Sequence, residues 1–397
     1  PSFDFTAWDK EARKYLDDYH FSAFRLPLRG MGGGTFYSRH AGAIGPYAQG
    51  TPEYRRIFKE YCMGLQDHLE QNGWLDKAYL YWFDEPDPKD YDFVRDGMNE
   101  IKLAGPKLKR MLTEEPVEPL FGAVDLWCPV LPNHHPEICA ERQKLGEDIW
   151  WYVCTGPKAP WPTLFIDHSA IDLRIWLWMT WKWNVQGILV WASTYWTSGC
   201  AFPDEPQNPW EDPMGYVTGY GNPPGYVAYW GNGDGRFLYP ANMDVNGDKT
   251  PYVKGPVNSI RWEMVRKGME DYEYLLLVEE GIERAGEGCP AADAARAFRE
   301  GSISSEQLVD ACLARIEAVE PAVQAWQFLD PAYAREQARA RDLDRIRLQV
   351  TDVLGPGDDR GDAETRAGRE VVELAQDRGG IEGQAQFLAQ LSKRRLQ

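Results

Sequence analysis

No apolar run in this sequence reaches the roughly 18 residues that a membrane-spanning helix requires. Positive charge is also scarce: 43 Lys and Arg stand against 61 Asp and Glu, for a net charge of -18. Such a field repels nucleic acid and anionic membranes, and no basic patch with interleaved aromatics offsets it locally. No nucleic-acid partner and no membrane insertion are therefore expected. The seven cysteines (Cys62, Cys128, Cys139, Cys154, Cys200, Cys289 and Cys312) include no Cys-x-x-Cys pair. Their odd number leaves at least one thiol free in any monomer, which argues against a disulfide framework.

Phosphate and metal loops are missing too. "RGMGGGTF" (29–36) is dense in glycine but lacks dinucleotide or Walker spacing, and no clean helix follows it. "DVNGDKTPYVKG" (244–255) sets Asp244, Asn246 and Asp248 at the first three spacings of a calcium loop. Its sixth position is Lys249 and its twelfth is Gly255, where Gly and Glu are required. His134, His135 and Cys139 in "NHHPEIC" read as a solvent-facing loop rather than a zinc site. No Ser/His/Asp order with a nucleophile elbow occurs. The expectation is no metal and no cofactor. The chain opens at Pro1 without a signal-like segment, so its targeting information is expected upstream, with an extracellular or periplasmic place of action.

Tryptophan and lysine nearly vanish after residue 286. Of 17 tryptophans only Trp326 lies beyond it, and residues 286–397 carry one lysine, Lys393, against 14 arginines. Residues 1–285 carry 14 of each. A boundary near "AGEGCP" (285–290) is expected, separating a domain at 1–286 from a helical extension at 287–397. The extension shows helical periodicity around Leu308, Cys312, Leu313 and Ile316, then a break at "GPGDDRGDAE".

What remains is the make-up of a globular protein, 43% apolar and 26% charged. Short apolar runs alternate with amphipathic stretches before residue 286, the pattern of βα units on a parallel sheet. Candidate strands are "AFRLPL" (23–28), "YLYWFDE" (79–85), "VDLWCP" (124–129), "IWWYVC" (149–154), "GILVWA" (187–192) and "RFLYP" (236–240). Helices are expected over "PEYRRIFKEYCMGLQDHLEQNG", over "SAIDLRIWLWMTWKWN", and over 259–286 with Ser259 as N-cap. Trp176, Trp178, Trp181 and Trp183 belong to the second of these and are assigned to packing. A (β/α)8 barrel takes eight strands. Six fit such a TIM-type barrel as strands three to eight, completed by a missing N-terminal region or a partner chain; an open doubly wound sheet is the alternative.

One strand ends on two adjacent acids, Asp84 and Glu85, and Pro86 then takes the chain out of the ladder. Barrel enzymes place their chemistry at such strand ends. Neighbouring strand residues point to opposite faces, so both acids reach one ligand only if the tip twists or bulges. Other candidate strand ends carry Trp127, Tyr152, Trp191, Tyr195, Trp196 and Tyr239. Flat rings stack on sugar C–H faces and their polar tips donate hydrogen bonds, so these six are the candidate substrate-binding residues for a neutral glycan. Arg261 and Glu263, at the start of the last helix, read as an internal ion pair.

"YWFDEP", "FRLPLRGMGGGTF", "GDGRFLYP" and "SIRWEMVRKGMEDYEYLLL", kept in order over about residues 1–285, resemble the catalytic domain of glycoside hydrolase family 123 and its relatives. The resemblance implies a (β/α)8 barrel preceded by a β-sandwich. It also implies retaining hydrolysis of β-linked N-acetylgalactosamine with the substrate's own acetamido group as nucleophile. On that match Asp84 is the orienting carboxylate and Glu85 the general acid/base, whose pKa has to be raised. A glycosidase for another sugar, or a carbohydrate-binding protein that does not cleave, are the rival readings. Residues 291–344 resemble the N-terminal helical segment of amidase-signature enzymes, without that family's Ser-Ser-Lys machinery.

Overall fold

A computed structural model describes residues 2–33, 39–198, 207–216, 230–243, 250–251, 253–285, 293, 296–298, 300–323 and 329–354. The chain divides into two compact units, Pro1–Leu275 and Leu276–Gln397.

The first unit is an α/β fold. Its helices are α1 (Thr6–Ala12), α2 (Pro52–Gln71), α3 (Tyr91–Ala104), α4 (Pro136–Lys144), α5 (Ile171–Lys182) and the start of α6 (Ile260–Ala285). Its strands begin with β1 (Phe24–Arg25) and a hairpin of β2 (Ala43–Ile44) and β3 (Tyr47–Ala48). Then come β4 (Ala78–Tyr81), β5 (Lys109–Leu112), β6 (Leu126–Trp127), β7 (Asp148–Tyr152) and β8 (Gly187–Leu189). The main sheet has six strands in the order β1-β4-β5-β6-β7-β8, and every pairing is parallel. Parallel neighbours need long crossovers, and α2, α3, α4 and α5 supply all of them except the one from β5 to β6.

Local chemistry explains the helix ends. Thr51 accepts the Tyr54 N–H at 3.3 Å and Pro52 occupies the first turn of α2, where a missing N–H costs nothing. Ser259 accepts the Trp262 N–H at 3.2 Å and caps α6, as expected. Tyr54, Phe58, Cys62, Leu65 and Leu69 recur at helical spacing along α2 and are all buried.

The period of two sorts the strand side chains into two groups. Leu80, Leu112, Trp127, Ile149 and Trp151 share one core with α2, α3, α5 and α6. Met111, Leu126, Cys128 and Tyr152, with Tyr79, Tyr81 and Trp150, pack on the opposite face. That second face is curled inward. In a flat sheet β4 and β7 are three spacings apart, about 14 Å, with side chains standing perpendicular. Yet the Tyr79 and Trp150 rings meet edge to face with centroids 5.2 Å apart. The strands wrap as part of a TIM-type barrel.

Two strand assignments need correction. Lys109–Leu112 forms β5, a strand that is not among the six candidates. Arg110 is only 3% exposed because Asp125, leading into the next strand, takes its guanidinium at 2.7 and 2.5 Å and its backbone N–H at 2.8 Å. An ion pair whose arginine is buried thus conceals the apolar pattern. Conversely, "RFLYP" is not a strand of the parallel sheet. Its β11 (Leu238–Tyr239), numbered after the short antiparallel pair β9 (Met214–Tyr216) and β10 (Trp230–Asn232), pairs antiparallel with β12 (Val257–Asn258). Its remaining backbone groups go elsewhere: Phe237 and Leu238 N–H to Ser193 O, and Leu238 O to the Trp196 indole.

In the second unit, α7 (Ser305–Val323) and α8 (Pro331–Leu354) pack together. Arg335 pairs with Asp310 at 2.6 Å and Arg339 with Glu306 at 2.7 Å. Asp342 accepts the Ser305 and Glu306 N–H groups that α7 leaves unpaired at its start. The "GPGDDRGDAE" break lies outside the described residues.

Candidate active site

Asp84 and Glu85 sit just past the C-terminal end of β4. Glu85 has φ +44, a left-handed conformation that is uncommon and strained for a residue with a Cβ. This kink resolves the opposite-faces problem, because both carboxylates meet groups of the curled inner face. Asp84 Oδ1 accepts from the Tyr81 hydroxyl and, at 3.1 Å, from Thr113 Oγ1. Glu85 Oε1 accepts from the Tyr152 hydroxyl, on β7. Thr113, directly after β5, also accepts the Glu85 backbone N–H at 2.8 Å. One hydroxyl therefore ties the first carboxylate to the main chain of the second. Among the described residues no hydrogen bond falls on Asp84 Oδ2 or Glu85 Oε2.

Burial pushes the Glu85 carboxyl above its ordinary value; the Tyr152 hydrogen bond opposes this and the Asp84 charge adds to it. Burial, then the charges of Asp84 and Glu85 respectively, also hold the Tyr81 and Tyr152 hydroxyls protonated, so both remain donors. An acid whose carboxyl burial pushes upward, beside a carboxyl group anchored through one oxygen, is a set of groups able to donate a proton and to hold a cationic or N–H centre.

The six ring candidates divide. Tyr152 is at the pair itself. Trp191 follows β8, whose Leu189 is in register with Tyr152, and it is 38% exposed, with Tyr195 edge-on at 5.0 Å. Trp196 gives its indole N–H to Leu238 O at 2.7 Å, and Tyr239 packs on Trp210 at 4.9 Å. Trp127 is placed in the core. It is 0% exposed, donates to Glu147 at 2.6 Å and has Phe121 edge-on. Parity is the reason: in β6 the inner position belongs to Leu126, and Trp127 points at the helices.

Two residues around the acids escaped sequence reasoning, Tyr81 and Thr113. Tyr81 was legible, since it stands on the same strand two places after Tyr79. Thr113 follows the strand that Arg110 disguised. Of the other readings, Trp176 is fully buried, whereas Trp178 is 45% exposed with its indole on Asp271. Arg261 and Glu263 are not an ion pair with each other. Arg261 is buried and donates to the Leu164, Gly233 and Arg236 carbonyls, while Glu263 takes Asn258 and Arg266. His134 stacks edge-on to Trp151 at 5.1 Å; burial and His135 bring it down to about 4. Asp244, Asn246, Asp248 and residues 34–36 of the glycine-dense loop lie outside the described residues. No described helix is long and apolar enough to cross a membrane.

Comparison with known proteins gives three results. A 64-residue stretch is 45% identical to a glutamyl-tRNA(Gln) amidotransferase subunit of Roseiflexus sp. (strain RS-1), covering 16% of this chain and 13% of that protein. Its counterpart from Roseiflexus castenholzii (strain DSM 13941 / HLO8) is 47% identical over 64 residues, with the same coverage. The chain thus spans about an eighth of the curated relatives it matches. Among solved structures, a family 123 glycoside hydrolase from Clostridium perfringens aligns with 21% identity and a TM-score of 0.38, over 59% of this chain and 38% of that one. Finally, the description "Glycoside hydrolase 123, catalytic domain" fits residues 40–278, a span that holds the acid pair, the curled sheet from β4 onward and the start of α6. Over that majority of its length, the chain belongs to the glycoside hydrolase 123 family.

Proposed function

We propose that the protein is a retaining glycoside hydrolase that cleaves β-linked N-acetylhexosamine, N-acetylgalactosamine above all, through an oxazolinium intermediate. One observation carries this reading. Asp84 and Glu85 are sequence neighbours turned to the same face, each held by one oxygen. Conventional retaining enzymes set two carboxylates about 5 Å apart across the scissile bond, one of them as nucleophile. Neighbours on one strand tip are poorly placed to flank a sugar, which favours a nucleophile supplied by the substrate.

The steps follow from the side chains present. The acetamido oxygen attacks the anomeric carbon as the glycosidic C–O bond breaks. Glu85 gives its proton to the leaving oxygen, and its raised pKa keeps that proton available. Asp84, anchored through Oδ1, takes the acetamido N–H on Oδ2 and balances the charge that develops on the ring. Glu85, now a carboxylate, then accepts a proton from water as the water attacks the same carbon and the bond from that carbon to the acetamido oxygen breaks, restoring the acetamido group. Two inversions give net retention. We propose in addition that two further strands, from upstream sequence or a partner chain, close the barrel.

The test compares an aryl N-acetyl-β-galactosaminide with the matching aryl β-galactoside. Turnover of the first alone is expected, with inhibition by a thiazoline mimic of the intermediate. Equal turnover of both would remove substrate assistance, and binding without turnover of either would leave a carbohydrate-binding protein. Glu85→Gln is expected to lose more activity on sugar leaving groups than on activated aryl ones.

A further inference from the structure

The "GDGR" turn does no work in the chemistry above, yet it is built with little tolerance. Gly233 and Gly235 both adopt left-handed φ, 78 and 71. A Cβ on Gly233 would lie 2.5 Å from Ile166 Cγ1 and 2.9 Å from Arg261 Nη1. One on Gly235 would lie 2.7 Å from the Trp191 ring. Between them stands Asp234. It is 0% exposed, so it does not reach solvent or a ligand directly. Its Oδ1 accepts the Trp191 indole N–H at 3.0 Å, and its buried Oδ2 has no hydrogen-bond partner among the described residues. The turn is also stitched to the segment that carries Trp191: Tyr195 N–H donates to Gly235 O at 2.9 Å and Arg236 Nε to Tyr195 O at 2.6 Å.

A buried carboxylate with a bare oxygen is costly, and burial pushes Asp234 up to about 6 even though Trp191, Gly235, Arg261 and Arg236 all pull the other way. Among the described residues its side-chain partner is an exposed tryptophan that water would otherwise solvate and leave free to change rotamer. That tryptophan follows the strand that pairs with β7, whose Tyr152 holds Glu85. Leu189, two residues before it, is in register with Tyr152. Burial above all pushes up the Cys154 thiol, and the charges of Glu85 and Asp234 add to it.

We infer that Asp234 is a positioning residue that locks the Trp191 indole as the flat platform for the sugar ring. This deepens the glycosidase reading and rests on it. A locked ring costs no ordering when the sugar arrives, so the effect belongs to binding rather than to bond breaking.

The experiment measures KM and kcat on an aryl N-acetyl-β-hexosaminide for D234A, D234N, W191F and the W191F/D234A double variant. D234A is expected to raise KM about fivefold, on the scale of one aromatic contact, with kcat little changed. W191F keeps a flat ring but loses the N–H, and should raise KM similarly. D234N retains an acceptor for the indole and should stay near wild type. In the W191F background D234A should add nothing, because the partner is already gone. An equal D234A effect in both backgrounds, D234N as poor as D234A, or a fall in kcat alone would overturn the inference. Should D234A fail to fold, an unchanged KM in W191F does the same. A wild-type enzyme without hexosaminidase turnover would instead remove the glycosidase reading, and this inference with it.

Discussion

Thr113 has one proton to give and two lone pairs to receive with, and the site uses both capacities. It donates to Asp84 Oδ1 and accepts the Glu85 N–H, so a single hydroxyl sets the relative position of the two acids. Thr113→Val keeps the shape and removes both bonds. It is expected to lower kcat about 10- to 100-fold with a smaller change in KM, as loss of alignment does, and Thr113→Ser should restore most of it. Steady-state kinetics on one aryl substrate decides this, and an unchanged kcat in Thr113→Val counts against it. Tyr152 acts on charge instead. Its hydrogen bond favours the Glu85 carboxylate, against the burial that raises the group. Removing it in Tyr152→Phe raises the Glu85 pKa further. The general acid then keeps its proton to higher pH, so the alkaline limb of the kcat/KM profile should move upward. A downward shift would contradict the assignment of that limb to Glu85.

At the scale of elements, β4 and β5 end alike, in Asp84-Glu85-Pro86 and Glu114-Glu115-Pro116. The first pair turns inward at the kinked Glu85. In the second, Thr113 holds the inward place, and Glu114 meets Tyr91 at the first residue of α3. Burial holds Glu114 up to about 8, with the charge and hydrogen bond of Glu115 adding to it and the Tyr91 hydrogen bond opposing. The groups facing it are thus Glu115 and Tyr91, and Asp87 acts on Tyr91 in turn. Folded-state pKa above the unfolded one means that the folded chain binds the extra proton between about pH 4.5 and 8. Its stabilising effect is complete below that window and is lost as pH rises through it. Glu114→Gln is always neutral, so its thermal stability relative to wild type should improve steadily from pH 5 to pH 8.5. A gap that stays constant across that range would show that Glu114 is already ionised in the fold. The same two strands show how far pattern reading goes. β4 was legible because apolar residues fill it, and β5 was not, because its one arginine is neutralised by a residue 15 positions away.

Across the whole molecule, all the side chains of the proposed site (Tyr81, Asp84, Glu85, Thr113, Tyr152, Trp191 and Asp234) fall within the unit Pro1–Leu275. The tail differs in tryptophan and lysine usage and lacks amidase machinery, and we propose that it supplies no residue to the chemistry. A chain ending after residue 286 is expected to keep the wild-type preference among aryl glycosides, at the cost of a lower unfolding temperature. Altered preference in a folded truncated enzyme would defeat this. Composition, the βα alternation and the Asp84-Glu85-Pro86 strand end were readable from the chain alone, because each depends on neighbours a few residues apart. Which face a strand residue takes was not, since period two has two phases and a hidden ion pair or a kink changes the phase. Hence Trp127 went to the core, and Thr113 came to the acids unannounced. The bonds that define the site join residues 67 apart in Glu85 and Tyr152, and 43 apart in Trp191 and Asp234. The curl of the sheet, which folds β7 over β4, brings the first pair within reach, and the bonds between Tyr195 and the Gly235-Arg236 turn bring the second; no local pattern encodes either distance.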